Sequence, residues 1–123
     1  MSTPDLDIAQ QFRSAVEAAL STGDFEPVVA LLASDVECVL PQHTLQGADA
    51  LVEELSRVRP SERFDVDFEN GDWTSARGGR LACQVRALYL SKVSDDLSYS
   101  RDRSFELAIR DGKVSRFEMR FAD

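Results

Sequence analysis

The sequence has few basic residues. Over 123 residues, 14 lysines and arginines stand against 22 aspartates and glutamates, which gives a net charge of −8 at pH 7. This surplus of negative charge opposes non-specific binding to nucleic-acid phosphates and to anionic lipid. The sequence also has no apolar run near the roughly 20 residues that a membrane-spanning helix needs. We therefore expect no nucleic-acid partner and no membrane partner.

Cysteine and histidine are scarce as well. Cys38 and Cys83 lie in separate apolar runs, without CxxC spacing and without a neighbouring histidine. We expect reduced thiols inside the core, with a pairing across adjacent strands as the alternative. The residue spacings of zinc sites, calcium loops and phosphate-binding loops do not occur in the sequence. We expect no metal and no cofactor.

The N-terminal stretch MSTPDLDIAQQF contains two acidic residues and no basic residue. A secretory leader begins with positive charge and continues with an apolar segment, so we expect a cytoplasmic protein. With 43% hydrophobic and 29% charged residues, the composition is typical of a globular protein. The length predicts a single domain over residues 1–123.

The period of the apolar residues changes along the chain. Ile8, Phe12 and Val16 keep helical spacing, whereas residues 64–69 alternate between apolar and acidic side chains. The first part predicts a helix that begins after Thr3 and ends before Gly23, and then a helix at 25–33, a strand at 36–40 and a helix at 47–58. The second part predicts strands at 64–69, 73–76, 81–92, 99–109 and 113–121, joined by glycine-containing turns at 70–71, 78–79 and 111–112.

Residues 15–41, AVEAALSTGDFEPVVALLASDVECVLP, combine a helix end, a Gly-Asp corner, a second helix and a first strand. Together with the closing DGKV-x-R hairpin at 111–116, this order resembles the nuclear transport factor 2-like superfamily, and within it the SnoaL-like and ketosteroid-isomerase-like domains. The resemblance covers nearly the whole chain. It implies an α+β fold in which a cone-shaped, curved, antiparallel (mixed) sheet wraps around N-terminal helices, a cystatin-like α+β barrel. It also implies a small-molecule pocket in the cone and a homodimer through the outer sheet face, which the two-sided apolar strand at 81–92 fits.

Ketosteroid isomerase, whose chemistry is the best understood on this fold, uses a tyrosine and two aspartates in its pocket. Counted from the Gly-Asp corner and back from Lys113, these positions fall on Val16, Leu40 and Arg103. A steroid isomerase of that mechanism is therefore not expected. Val16 and Leu40 are expected to line the pocket instead.

Three polar side chains are candidates for chemistry. His43 follows the first strand in the loop expected at the pocket rim. It is either a general acid or base or a solvated loop residue, since no acidic neighbour is visible to orient it. Arg101 and Arg103 share a strand face with Phe105 and are expected to point toward the open end of the cone, where they would bind an anionic group. The alternative is surface ion pairing with Asp95, Asp96, Asp102, Glu106 or Glu118.

The other pocket candidates are aromatic or apolar: Trp73, Tyr89, Phe105, Phe117 and Met119. Filling of the core is the alternative for Trp73 and Tyr89. Two functions stay open. One is a cofactor-independent enzyme of the isomerase, cyclase or hydrolase type, with His43 and Arg103 as catalytic residues and an apolar or weakly anionic ligand. The other is a non-catalytic ligand-binding or dimerisation module.

Overall fold

The structure is a computed structural model that describes residues 3–58 and 60–121. Its helices are α1 (Thr3–Thr22), α2 (Glu26–Val29) and α3 (Ala48–Val58), with short 3₁₀ turns at Pro60–Glu62 and Arg77–Gly79. Its strands are β1 (Leu32–Val39), β2 (Thr44–Gln46), β3 (Phe64–Glu69), β4 (Thr74–Ser75), β5 (Leu81–Ser91), β6 (Leu97–Arg110) and β7 (Lys113–Phe121). The predicted order is confirmed: two helices, a first strand, a third helix and then a run of strands.

The strands form one curled, unclosed sheet in the order β2-β1-β7-β6-β5-β3, and β4 pairs with β5 as well. β1 and β7 are parallel, and the other neighbouring pairs are antiparallel. The sheet is therefore mixed, as predicted. Its curl leaves a concave inner face that the helices cover.

The first helix packs on this inner face and is tied to β3. Phe12 is buried, and its ring centroid lies 5.1 Å from that of Phe117 on β7. The Ser21 hydroxyl accepts a hydrogen bond from the Val66 backbone N–H at 2.8 Å. These contacts hold the buried side of α1 over the strands that form the site.

The Gly-Asp corner forms as predicted, but the second helix is shorter than predicted. Gly23 has a φ of 81°, and its N–H donates to the Ala19 carbonyl at 2.7 Å. The Asp24 carboxylate accepts from the Glu26 N–H at 3.1 Å. The predicted helix at 25–33 ends at Val29 because Leu32 already pairs with Val114 as the first residue of β1. Tertiary pairing thus overrides the local helical pattern.

The loop after β1 contains a strand that the sequence did not predict. The Leu40 N–H donates to the His43 carbonyl at 2.8 Å, and this tight turn lets β2 return antiparallel along β1. The third helix follows at once. β6 also begins at Leu97, before the predicted start at residue 99.

The outer face of the sheet is polar and carries ion pairs. Arg86 pairs with Asp102 at 3.1 Å and Arg80 with Glu106 at 3.0 Å. The buried carboxylate of Glu118 contacts two guanidiniums, those of Arg116 and Arg120. Homodimerisation through this face stays a prediction.

Cys38 and Cys83 are free thiols in the core, as the sequence predicts. Burial, together with the nearby Glu37 carboxylate, raises the pKa of Cys38 to about 11. Burial also raises the pKa of Cys83, against the opposing effect of Arg13. Both side chains therefore fill the core as neutral thiols. Within residues 3–58 and 60–121, none of the helices has the length and apolar character to cross a membrane.

Candidate functional site

A cavity of about 240 Å³ lies between the helices and the inner face of the sheet. Most of its wall is carbon. The lining residues that carry polar side-chain atoms are Tyr89, Tyr99 and Arg103. The other lining residues are apolar: Phe12, Val16, Leu20, Val28, Leu51, Phe68, Phe105, Phe117, Met119 and Phe121.

Arg103 and Tyr89 form a hydrogen-bonded pair on this wall. Arg103 Nη2 donates to the Tyr89 hydroxyl at 2.8 Å, and Nη1 lies 3.9 Å from the Met119 sulfur. The guanidinium also lies over the Phe121 ring, 4.7 Å from its centroid. Arg103 pairs with Phe121 in the β6–β7 register, and its long side chain reaches back to Tyr89 on β5. Contacts on three sides therefore fix the position of the guanidinium.

Strand alternation keeps the nearby carboxylates away from Arg103. Asp102 and Glu106 lie on the outer face of β6, where they pair with Arg86 and Arg80. Glu118 of β7 likewise pairs with Arg116 and Arg120. None of the ion pairs among the described residues includes Arg103 or Arg101. For these three carboxylates, the alternative of surface pairing with Arg101 and Arg103 is wrong.

Aromatic rings form the mouth of the cavity. Tyr89 and Tyr99 stack with ring centroids 4.3 Å apart and planes 10° apart. Phe64 meets both rings edge-on, at 5.9 Å and 5.5 Å. Tyr89 is buried, whereas Tyr99 is 43% exposed. Burial and the neighbouring Tyr89 raise the pKa of the Tyr99 hydroxyl, while three arginines, Arg101, Arg103 and Arg63, act in the opposite direction.

Six of the residues predicted for the pocket lie on the cavity wall: Val16, Tyr89, Arg103, Phe105, Phe117 and Met119. Arg101 is exposed and lies beside the mouth, with its guanidinium 5.4 Å from the centroid of the Phe121 ring. Their common placement follows from strand alternation and from the helical face of α1. Their roles in binding stay predictions.

Two predicted lining residues lie away from the cavity. Leu40 follows the end of β1 and packs partly buried against the core. Trp73 is buried beside a separate pocket under α1, and its indole N–H has no hydrogen-bond acceptor among the described residues. The expectation that either side chain lines the cavity is therefore wrong, because β1 ends before Leu40 and the Asn70-Gly71 turn carries Trp73 toward α1.

His43 also lies outside the cavity wall. Its side chain is 48% exposed, and Nε2 lies 3.7 Å from a carboxylate oxygen of Glu54 on α3. No acidic neighbour of this imidazole is visible in the sequence, and Glu54 becomes one because α3 folds back over the loop. Catalysis by His43 stays a prediction, and this placement does not support it.

Sequence reasoning missed several residues of the wall. Tyr99 and Phe121 form the mouth, and Phe12 and Leu20 extend the α1 face of Val16. A signal for them exists in the sequence, since Phe12 and Leu20 are four residues from Val16, and Tyr99 shares the strand alternation of Arg101 and Arg103. Val28 and Leu51 carry no such signal, because only the packing of α2 and α3 brings them to the cavity.

The chemistry available at the wall is hydrogen-bond donation and positive charge. The described lining residues include no carboxylate and no imidazole. Within residues 3–58 and 60–121, no group of three or more histidine, cysteine, aspartate or glutamate side chains could hold a metal ion. The wall can therefore bind an oxygen atom and stabilise negative charge on it.

Comparisons with known proteins agree with this architecture. A structure of a nuclear transport factor 2-like protein from Anabaena variabilis matches with a TM-score of 0.79 and 18% identity, covering 100% of this chain and 93% of that one. A putative polyketide cyclase from Xanthomonas campestris pv. campestris matches with a TM-score of 0.68 and 21% identity, covering 93% and 90%. A putative hydroxylase from Streptomyces galilaeus matches with a TM-score of 0.68 and 14% identity, covering 94% and 90%. No curated protein matches the sequence.

At such identities, likeness between structures shows the fold alone. The family follows from the sequence itself, because the model of the SnoaL-like domain matches residues 12–117. This range runs from α1 to β7 and includes both the Gly-Asp corner and the Arg103–Tyr89 pair. The chain belongs to the SnoaL-like domain family, and it shares the fold of nuclear transport factor 2-like proteins.

Proposed function

We propose that the protein binds a small, mainly apolar molecule inside the cone and holds an oxygen of that molecule with Arg103 and Tyr89. One observation carries this proposal: a partly buried guanidinium lies on a carbon-lined wall, and no described carboxylate pairs with it. Removing a cation from water costs free energy unless hydrogen bonds or an opposite charge compensate for it. An oxygen of a bound molecule supplies that compensation.

The two side chains can act on the same oxygen. The Tyr89 hydroxyl accepts a hydrogen bond from Arg103, so its own hydrogen is free for an acceptor in the cavity. Hydrogen bonds in such a chain polarise one another, which strengthens donation by the phenol. Arg103 keeps further N–H groups on the same planar fork. Arg103 and Tyr89 can therefore donate hydrogen bonds to one ligand oxygen from two directions.

The size of the cavity limits the molecule. A volume of about 240 Å³ is below the roughly 300–1,000 Å³ of common ligand pockets. A molecule with one or two rings fits such a space better than a steroid or a nucleotide. The wall favours carbon over most of the molecular surface.

Binding explains the geometry better than acid–base catalysis does. The described wall supplies donors but no carboxylate or imidazole to accept a proton. The names of the similar cyclase and hydroxylase structures bear on this chain only through the shared fold. A cofactor-independent isomerase, cyclase or hydrolase therefore stays a prediction from the sequence, and it requires His43 to reach the cavity.

A neutral ketone tests cavity binding directly. We expect 2-acetonaphthone, with about 13 non-hydrogen atoms at about −0.3 kcal/mol each, to bind with a Kd on the order of 1 mM or lower. Nuclear magnetic resonance titration should shift the amide signals of α1, β5 and β6 around the cavity. Val16→Phe fills the cavity and should abolish these shifts, whereas Ala18→Phe on the exposed side of α1 should leave them unchanged.

A second variant protects this test against a folding defect. Leu20 lines the cavity at a partly exposed position, so Leu20→Trp fills space there with less strain than Val16→Phe. The thermal midpoint of each variant shows whether it folds. Shifts that map outside the cavity, or that persist in a folded Val16→Phe or Leu20→Trp variant, would contradict the proposal.

A further inference from the structure

Positive charge collects at the mouth of the cavity, although the chain carries a net charge of −8. Arg103 and Arg101 lie over the same Phe121 ring, at 4.7 Å and 5.4 Å from its centroid. Arg63 lies over the ring of Phe64, at 5.6 Å. The three guanidiniums thus lie against aromatic rings at the mouth, and the ion pairs among the described residues include none of them.

We infer that the molecule held in the cavity is a flat aromatic monoanion whose carboxylate, or a similar anionic oxygen, lies at the mouth against Arg103 and Arg101. This inference rests on the proposed function and adds the charge, the shape and the orientation of the ligand. Guanidinium forks bind carboxylates through two parallel hydrogen bonds. Arg103 is held by Tyr89 and Phe121 in a position from which its remaining N–H groups can do so.

The orientation follows from the distribution of polar atoms along the cavity. Arg103, Tyr89 and Tyr99 supply polar atoms at the mouth, and the inner wall is formed by side chains such as Phe12, Val28 and Leu51. An anionic group placed among these carbon atoms would lose its hydration without compensation. The charged end therefore stays at the mouth and the apolar body points inward.

The flat shape follows from the aromatic wall. Phe68, Phe105 and Phe117 follow one another across the inner face of the sheet, with ring centroids 5.8 Å apart in both neighbouring pairs. Tyr89 and Tyr99 continue the aromatic surface to the mouth. Aromatic rings contact one another best in offset or edge-on arrangements, which a flat ring system can adopt on several sides at once.

A single charge agrees with the electrostatics of the whole chain. The net charge of −8 opposes the approach of highly charged anions such as nucleotides. The local cationic mouth compensates for one carboxylate at short range. Polyphosphates and nucleic acids are therefore poor ligands of this site.

Isosteric pairs of probes separate charge from shape. The anion 2-naphthoate and the neutral 2-acetonaphthone have the same flat outline, and nonanoate and 2-decanone form a flexible pair of similar length. We expect 2-naphthoate to bind about tenfold more tightly than 2-acetonaphthone in 50 mM KCl, because charge-assisted hydrogen bonds are about twice as strong as neutral ones. This preference should shrink in 500 mM KCl. Nonanoate should bind more weakly than 2-naphthoate.

Arginine variants test whether the preference for 2-naphthoate over 2-acetonaphthone arises at the mouth of the cavity. Arg103→Gln should bring the affinities of 2-naphthoate and 2-acetonaphthone to within about twofold of each other, because the amide offers the carboxylate neither a positive charge nor a bidentate fork. Arg101→Gln should reduce the preference less, since Arg101 is exposed and its charge is screened by solvent. Arg86→Gln on the outer sheet face is the matched control and should keep the preference of the wild type.

Each contrary outcome points to a different error. Equal affinity of the wild type for 2-naphthoate and 2-acetonaphthone would overturn the anionic ligand and leave cavity binding intact. Nonanoate binding as tightly as 2-naphthoate would overturn the flat shape. A folded Arg103→Gln variant that keeps the tenfold preference would overturn the placement of the anionic group at the mouth.

If no probe binds at a concentration of 1 mM, the proposed function fails, and this inference fails with it. Should Arg103→Gln not fold, the salt dependence of the wild-type preference decides, and its absence contradicts the inference.

Discussion

The face of the strand that a residue occupies decides the environment of each charged side chain in this sheet. Arg103 and Asp102 are neighbours on β6, yet Arg103 lies on the cavity wall and Asp102 pairs with Arg86 on the outer face. The same alternation places Glu118 outside, between Arg116 and Arg120. A cation in the cavity and an ion-pair network on the outer surface therefore arise from one structural rule.

The ion pairs of Glu118 on the outer face make the stability of the protein depend on pH. Burial alone would raise the pKa of its carboxyl, but hydrogen bonds from Arg116 and Arg120 lower the pKa below its usual range. The ionised carboxylate stabilises the fold above the unfolded-state pKa of about 4.3, and this stability is lost as the pH falls through the lower folded-state pKa. We expect Glu118→Gln to lower the free energy of unfolding by about 1–3 kcal/mol at pH 7.

Urea unfolding at several pH values measures this effect. The difference between wild type and Glu118→Gln should shrink as the pH falls from about 5 to about 3. The matched control is Glu106→Gln, whose more exposed pair with Arg80 should contribute less than about 1 kcal/mol. A Glu118→Gln difference that does not change with pH would contradict the account.

For single residues, the alternation of apolar and polar side chains along β6 predicts that Arg103 faces inward together with Phe105. It does not predict the partners of the charged groups. Glu54 reaches His43 only because α3 folds back over the loop, and Tyr89 reaches Arg103 only because the side chains meet diagonally across β5 and β6. These side-chain distances depend on how the elements pack against one another, and the sequence pattern does not predict that packing.

Turns and helix ends position the elements around the cavity. The turn between β3 and β4 packs closely, because Gly71 lies against both β5 and α1. A Cβ atom on Gly71 would lie 2.7 Å from Val85 Cγ1 and 2.9 Å from Cys83 Sγ, and the residue has a φ of 103°. The close approach of this turn keeps α1 over the inner face of the sheet.

Gly71→Ala tests this packing against a matched control. Gly78 also has a positive φ, of 71°, but a Cβ there would meet nothing within 4 Å. We expect Gly78→Ala to cost about 1 kcal/mol of unfolding free energy through backbone strain. Gly71→Ala should cost about 1–3 kcal/mol more, because overpacking is added. Chemical denaturation measures both, and equal losses would show that the turn has room to adjust.

The elements and the limits of β3 and β7 were predictable from the sequence, whereas the limits of α2, β1 and β6 were not. The change from helical to alternating spacing predicts the order of helices and strands and most of the long strands. The end of α2 at Val29 and the strand β2 escaped prediction, because both depend on pairing with residues distant in the chain. Lys113 illustrates this dependence, since its amine donates to the Ala30 carbonyl at 2.6 Å where β7 meets the end of α2.

The whole molecule combines an acidic surface, a carbon-lined interior and a cationic mouth. The fold that the chain shares with its structural neighbours explains the cone, and aromatic and arginine side chains form the mouth of its cavity. The cavity could be predicted from the resemblance, and six of its lining residues from the sequence. The full set could not, since three helices and four strands, β3, β5, β6 and β7, line the cavity together. A cytoplasmic location and a homodimer stay predictions from the sequence.

A crystal structure of the protein grown with 2-naphthoate tests the central claim most directly. The account predicts one naphthalene ring system inside the cone, between α1 and the aromatic inner face. Its carboxylate should lie at the mouth, within about 3 Å of an Arg103 nitrogen, as in a charge-assisted hydrogen bond. A ligand bound outside the cone, or one bound inside with its carboxylate turned away from Arg103, would contradict the account.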